Sequence, residues 1–183
     1  MNKIIQTSFK NLWSDDRGSQ NKAFSFILEV TDKPVDWAYE VWDDVVANLS
    51  HKDNHNRAIA AQVLCNLAKS DPKERILKDF GALLEVTKDE RFVTARHCMQ
   101  ALWKVGVSGK KQQRKLVDGL ASRFNECTAE KNCTLIRYDI IQSLWNVYGA
   151  VRDEKIKAKA LELIETEEAL KYRRKYASLW KVK

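Results

Sequence analysis

One short pattern recurs along this chain at nearly constant spacing, and it limits the fold more than any single motif does. The pattern reads Phe26-Ile27-Leu28-Glu29-Val30, Val63-Leu64-Cys65-Asn66-Leu67, Ala101-Leu102-Trp103-Lys104-Val105, Ser143-Leu144-Trp145-Asn146-Val147 and Ser178-Leu179-Trp180-Lys181-Val182. The copies start at 26, 63, 101, 143 and 178, so they stand 37, 38, 42 and 35 residues apart. A period of about 40 residues suits a stack of helical hairpins, each with an apolar face it cannot bury alone. With only 6 Gly and 2 Pro in 183 residues, the chain has few breakers to spend on β-turns.

Helical periodicity fills the intervals. Over 37–49 the apolar positions 37, 38, 41, 42, 45, 46 and 49 form one wide stripe, and Asp36, Glu40, Asp43 and Asp44 take the opposite face. Similar reasoning places helices at 3–13, 19–30, 56–69, 73–86, 91–105, 110–127, 133–148, 153–164 and 168–182. The turns fall at polar or breaker residues such as Ser70-Asp71-Pro72, Gly106 and Gly149. The expectation is a single all-α domain over 1–183. Its five hairpin units are 3–30, 35–69, 73–106, 110–149 and 153–182.

The second helices resemble those of the HEAT repeat family, which read Val-Arg-x-x-Ala-Ala-x-x-Leu-x-x-Leu after a turn containing Asp. The fullest match is Asp53, Asn56-Arg57, Ala60-Ala61, Leu64 and Leu67; the fourth unit keeps Ile136-Arg137 and Leu144. The resemblance implies a right-handed α-α superhelix, a solenoid of about five HEAT-like hairpins. It also implies that the second helices line a concave surface where partners bind. Arg57 is then a ladder arginine, paired with a turn Asp of its own or a neighbouring unit, and Asp53 could serve it. Cys133 stands where the corresponding Asp would precede Arg137, which breaks that ladder and either frees Arg137 for another role or merely weakens the repeat. Because one fold serves many functions, the resemblance fixes no chemistry.

Laid in register, the second helices show one polar face. One column holds Gln62, Gln100 and Gln142. A second holds Asn66, Lys104, Asn146 and Lys181, and a third holds His97, Asp139 and Arg174, with Arg96 beside them. Positions i, i+3 and i+7 share a helix face, so these residues are the candidate partner-binding stripe. Trp103, Trp145 and Trp180 occupy one column; inter-hairpin packing is the favoured role for them, against base or peptide stacking.

The formal net charge of +7 is concentrated in two acid-free blocks, 91–117 with seven basic residues and 169–183 with six. In the second block the last charges lie near a helix C-terminus, where the dipole favours them. In the first, Lys110, Lys111, Arg114 and Lys115 open a helix, where the dipole opposes them. That block is the unexplained positive charge, and it fits an anionic partner.

Catalytic and metal signals are sparse. His51 and His55 flank a turn without the further ligands a zinc site needs, so no metal and no cofactor is expected. No Ser-His-Asp set, P-loop or HExxH is found. No catalytic residue is assigned, and Asp139 is the one candidate carboxylate. Cys65, Cys98, Cys127 and Cys133 are expected as reduced thiols, since the N-terminus turns polar too soon for a signal peptide and the cytoplasm is the expected compartment. With no run of 18 apolar residues, no membrane partner is expected.

Two functions follow. The first is a non-catalytic scaffold that holds a protein or peptide partner on the concave face. The second is nucleic-acid binding, or repair chemistry similar to that of the HEAT-like alkylpurine DNA glycosylases. Asp139 with Arg137, Tyr138 and Trp145 is the nearest constellation to that family's site, but Leu135 stands where its Trp should precede the Asp.

Overall fold

The computed structural model describes residues 1–180. Among these the regular structure is entirely helical. The helices are α1 Lys3–Leu12, α2 Arg17–Val30, α3 Ala38–Asn48, α4 Asn54–Leu67, α5 Ile76–Val86, α6 Phe92–Ala101, α7 Trp103–Gly106, α8 Lys110–Glu126, α9 Cys133–Val151, α10 Glu154–Glu165 and α11 Leu170–Ala177. Short 3₁₀ turns follow α4, α8 and α11. The all-α expectation therefore holds, and most helix ends fall within a few residues of the expected ones.

Several starts are set by Asn or Asp side chains. The side chains of Asn2, Asp16, Asp53 and Asp153 accept from the backbone N–H groups of Ile5, Ser19, His55 and Lys155. Each satisfies a donor that the first helical turn leaves without a partner. Burial of α1 follows its period, with Ile5, Phe9 and Leu12 inside. In α3 the buried residues are Ala38, Val41, Trp42 and Val45.

The chain divides into two compact units, Met1–Ala101 and Leu102–Lys183. In the first, α1 packs on α2 and α3 on α4, and α4 also meets α2, α5 and α6. This central helix buries Ala58, Ile59, Ala60, Ala61, Val63, Leu64, Cys65 and Leu67. A helix apolar on nearly all sides belongs in a core, and its alanines let neighbours approach closely. In the second unit α9 has the central place, against α7, α8, α10 and α11. Its buried residues include Ile136, Ile140, Ile141, Leu144 and Val147.

Three local departures have physical causes. The helix expected over 91–105 is interrupted at Leu102, whose carbonyl accepts from Val105 in a tighter i, i+3 bond. The helix expected to close at Gly149 runs on to Val151 and ends at Arg152, which takes the left-handed conformation at φ 52°. Gly149 is thus an interior helical residue. Finally, α5 begins at Ile76, not 73, because Asp71 reaches past Pro72 to accept from the Ile76 N–H at 2.7 Å.

Gly106 has a different role. A Cβ there would meet Leu116 Cδ2 at 2.5 Å and Val147 Cγ2 at 3.0 Å. The bare backbone lets α7 lie close to both α8 and α9.

The cysteine expectation holds for only two of the four. Cys65 and Cys98 are buried and outside any disulfide, and burial pushes the Cys98 thiol well above its ordinary pKa. Cys127 and Cys133 are joined in a disulfide. The turn between α8 and α9 folds back, bringing their Cα atoms to 5.2 Å, inside the range a disulfide can span.

Candidate functional site

Polar contacts link positions about one repeat apart. In the first unit Gln20 donates to Asn56 Oδ1 at 2.8 Å, and Arg17 pairs with Asp53 at 2.6 Å. Trp42 Nε1 donates to Asp79 at 2.8 Å. In the second, Gln113 donates to Asp153 at 2.8 Å, and the Tyr176 hydroxyl donates to the Thr134 carbonyl at 2.9 Å. These pairs are separated by 36, 36, 37, 40 and 42 residues. The period legible in the apolar ends is therefore also the period of the polar rungs.

Arg57 takes its ladder Asp from the neighbouring unit. Arg57 passes over Asp53 and binds Asp89, Nε to Oδ2 at 2.5 Å and Nη2 to Oδ1 at 2.9 Å. Asp53 is occupied by the α4 cap and by Arg17. Nor is Arg137 released. It pairs with the buried Glu167 at 2.9 Å, donates to the Phe124 carbonyl at 3.1 Å and lies 4.6 Å above the Phe124 ring. Glu167 on the following turn takes the place of the missing Asp.

The expected stripe separates into surface and interior. In the first unit His97 and Gln100 are exposed on α6, and Arg96 is half-buried beside the Phe92 ring. Gln62 is half-buried and donates to the Ala58 carbonyl. Asn66 is 1% exposed and donates to the Leu28 carbonyl and to Thr31 Oγ1. It is a rung between repeats and not a surface residue. In the second unit Gln142 donates to Asn146 at 3.1 Å, both half-buried, as is Lys104. Arg174 is exposed. Asp139 is only 2% exposed, so the one candidate carboxylate lies inside the helix packing. Lys181 lies outside the described residues.

Two of the three column tryptophans, Trp145 and Trp180, take part in packing. Trp145 and Trp180 meet edge to face with ring centroids 5.1 Å apart, and Tyr148 joins them at 5.5 Å from Trp180. His51 is likewise structural, its Nδ1 accepting from the Asp53 N–H at 3.0 Å. Among the described residues, no group of three or more His, Cys, Asp and Glu side chains is placed to hold a metal ion.

The second unit carries a cavity of about 300 Å³ between the start of α8 and the start of α10. Lys110, Arg114 and Lys155 give it three cations, Asp118 and Asp153 two carboxylates, and Val117 and Ile156 an apolar wall. The Lys155 N–H and then the Gln113 amide hold the Asp153 carboxyl below its ordinary pKa, and Lys110 adds to this. Asp153 thus remains ionised and compensates Lys110, 3.5 Å away. The side chains of Arg114 and Lys155 have no ion pair among the described residues. No side chain caps the start of α8, and its first turn has no acidic residue.

The sequence had marked Lys110 and Arg114 as unexplained charge. It gave no prominence to Gln113, Asp153 or Lys155. The available signal was the 40-residue interval from Gln113 to Asp153, the same interval as the repeat.

These features define an all-helical protein of packed hairpins. No family model matches the chain, and no curated protein matches it. Crystal structures of engineered proteins do. One aligns with 98% of this chain and 78% of its own at 18% identity and a TM-score of 0.61. A second covers 98% of this chain with 47% of its own at 18% identity, TM-score 0.58. A third covers 98% and 79% at 18% identity, TM-score 0.55. At such identity the likeness concerns the fold alone.

No described helix is long and apolar enough to cross a membrane.

Proposed function

We propose that this protein is a non-catalytic binding module, a short right-handed solenoid of about five HEAT-like hairpins that holds an acidic segment of a protein partner. The rungs at one-repeat intervals support the solenoid. The observation that carries the binding reading is the cavity, where the three cations Lys110, Arg114 and Lys155 outnumber the carboxylates of Asp118 and Asp153 beside Val117 and Ile156. An apolar wall under a cationic rim matches a peptide carrying Glu or Asp next to a bulky apolar residue. A volume of about 300 Å³ accommodates side chains and is far smaller than a duplex requires. The burial of Asp139 at 2% exposure weighs against chemistry at that carboxylate.

The test is fluorescence anisotropy with a labelled Glu- and Leu-rich peptide and, in parallel, a labelled DNA duplex. Arg114→Glu and Lys155→Glu each place a negative charge at the rim. The expected result is peptide binding weakened about tenfold or more in each variant, since each 1.4 kcal/mol is worth tenfold. No peptide binding by the unsubstituted chain, or equal binding by the variants, refutes the reading. Duplex binding whose affinity falls with salt at a slope of about 0.9 per neutralised phosphate transfers the protein to the nucleic-acid class.

A further inference from the structure

Cys127 and Cys133 belong to one tight turn but lie in different surroundings. Cys127 ends α8 with 0% exposure; Cys133 opens α9 with 9%. Residues 128–131 between them are exposed, so solvent reaches the turn from its outer side. As the first residue of a 19-residue helix, Cys133 sits at the positive end of the helix dipole. No side chain caps that end, and no acidic residue occupies its first turn. A sulfur there gains stability when it becomes negative.

The turn is also secured without the sulfur–sulfur bond. The Glu130 N–H donates to the Cys127 carbonyl at 2.8 Å, and the Cys133 N–H to the Glu130 carbonyl at 3.0 Å. The buried guanidinium of Arg123 grips Glu130 through both carboxylate oxygens, at 2.5 and 2.7 Å. Cys127 Sγ lies 3.4 Å from the Phe124 carbonyl and 3.7 Å from that of Cys133, so a reduced Cys127 thiol has acceptors in place. The hydrogen bonds that hold the turn do not involve the sulfur–sulfur bond.

We propose that Cys127 and Cys133 are a reversible thiol–disulfide exchange site, with Cys133 as the attacking sulfur, Cys127 as the resolving sulfur and a low-molecular-weight disulfide such as oxidised glutathione as the oxidant. The Cys133 thiol gives its proton to solvent, and its thiolate attacks one sulfur of the small disulfide. A mixed disulfide forms at Cys133, and one small thiolate leaves and takes up a proton. Cys127 then loses its proton and attacks the Cys133 sulfur, closing the protein disulfide and expelling the second small thiolate, which is protonated in turn. Two electrons pass from the two protein sulfurs to the two sulfurs of the oxidant. The reverse sequence, run by two small thiols, opens the bond. Cys65 and Cys98 take no part, being buried in the other unit.

The experiment equilibrates the full chain in buffers of graded reduced and oxidised glutathione. The samples are then quenched by alkylation, and the peptides containing residues 127 and 133 are quantified by mass spectrometry. The disulfide should titrate from open to closed across the series, with the far-ultraviolet circular dichroism unchanged and Cys65 and Cys98 alkylated only after denaturation. A pair that stays closed in excess reduced glutathione, stays open in excess oxidised glutathione, or unfolds the chain on opening overturns the proposal. Single variants assign the roles. Cys127→Ser should trap glutathione on Cys133 about tenfold faster than Cys133→Ser traps it on Cys127, because accessible thiolates react first. Equal rates, or the opposite order, overturn the assignment. The unsubstituted chain's titration decides reversibility by itself if either variant fails to fold.

Discussion

Replacing Arg57 with Leu tests the rung that departs most from the sequence pattern. The guanidinium makes two hydrogen bonds to Asp89 and two more to the His51 and Lys52 carbonyls. Its side chain is 16% exposed and that of Asp89 is 4% exposed, so this is an ion pair largely removed from water. Removing one member of a buried pair costs about 3–5 kcal/mol, because the other charge is left behind. Asp89 keeps the Arg91 N–H at 2.8 Å, and Arg57 is at the edge of solvent. Both reduce the expected cost of Arg57→Leu to about 2–3 kcal/mol. With a urea slope of about 2 kcal/mol/M, the unfolding midpoint should fall by about 1–1.5 M. Asp89→Asn retains the acceptor for Arg91 but removes the charge, and completes a double-mutant cycle with Arg57→Leu. The double variant should be more stable than the summed single effects predict, by at least about 1 kcal/mol, since residues in direct contact couple. Single effects that simply add, or an Arg57→Leu midpoint that does not move, would show that the rung contributes no stability and would refute the reasoning.

Glycine substitutions should act in opposite directions. Gly106→Ala drives a methyl into Leu116 and Val147 and should destabilise by about 1–3 kcal/mol, whereas Gly149→Ala, with nothing within 4 Å of its Cβ, should stabilise by about 0.5–1 kcal/mol in thermal melts. Acid should weaken the fold through carboxyls with lowered pKa values. Burial alone would raise that of Asp89, but the hydrogen bonds from Arg57 and the Arg91 N–H together outweigh it; Arg17 leads the lowering at Asp53. Their contribution is complete above the unfolded pKa near 4 and is lost as pH falls through the lower folded values, so urea midpoints should drop below about pH 4 and drop less in Asp89→Asn. Burial raises the Tyr176 pKa, so its phenol should stay protonated in alkaline ultraviolet titration until the chain unfolds. Tyr176→Phe, which deletes the bond to the Thr134 carbonyl, should cost about 1 kcal/mol in denaturant.

The all-helical class and the approximate place of each helix could be read from the residues alone. Those properties are local. The apolar stripe of 37–49, the breaker at Pro72 and the caps at Asn2, Asp16, Asp53 and Asp153 each act within a few residues. The interval near 40 was legible for the same reason, since each hairpin carries its own copy of the pattern.

Partners and burial were fixed by how the helices pack. The Arg57 position predicts a ladder arginine, but nothing in a linear pattern tells Asp53 from Asp89. Asp53 is already engaged by Arg17 from the preceding repeat, and that arrangement exists only once the hairpins pack. Asn66 shares its column with the half-buried Lys104 and Asn146, and Asp139 shares its own with the exposed His97 and Arg174, yet neighbouring helices cover both, because burial depends on which elements stand opposite. Cys127 and Cys133 are expected as reduced thiols from the sequence, and only the folded turn brings their Cα atoms to 5.2 Å. The cavity at Arg114 gathers residues from 110 to 156, two helices whose starts meet only in the folded unit. A helix follows from short-range periodicity, whereas a site follows from contacts between residues some 30 to 40 positions apart, and those contacts are what folding selects.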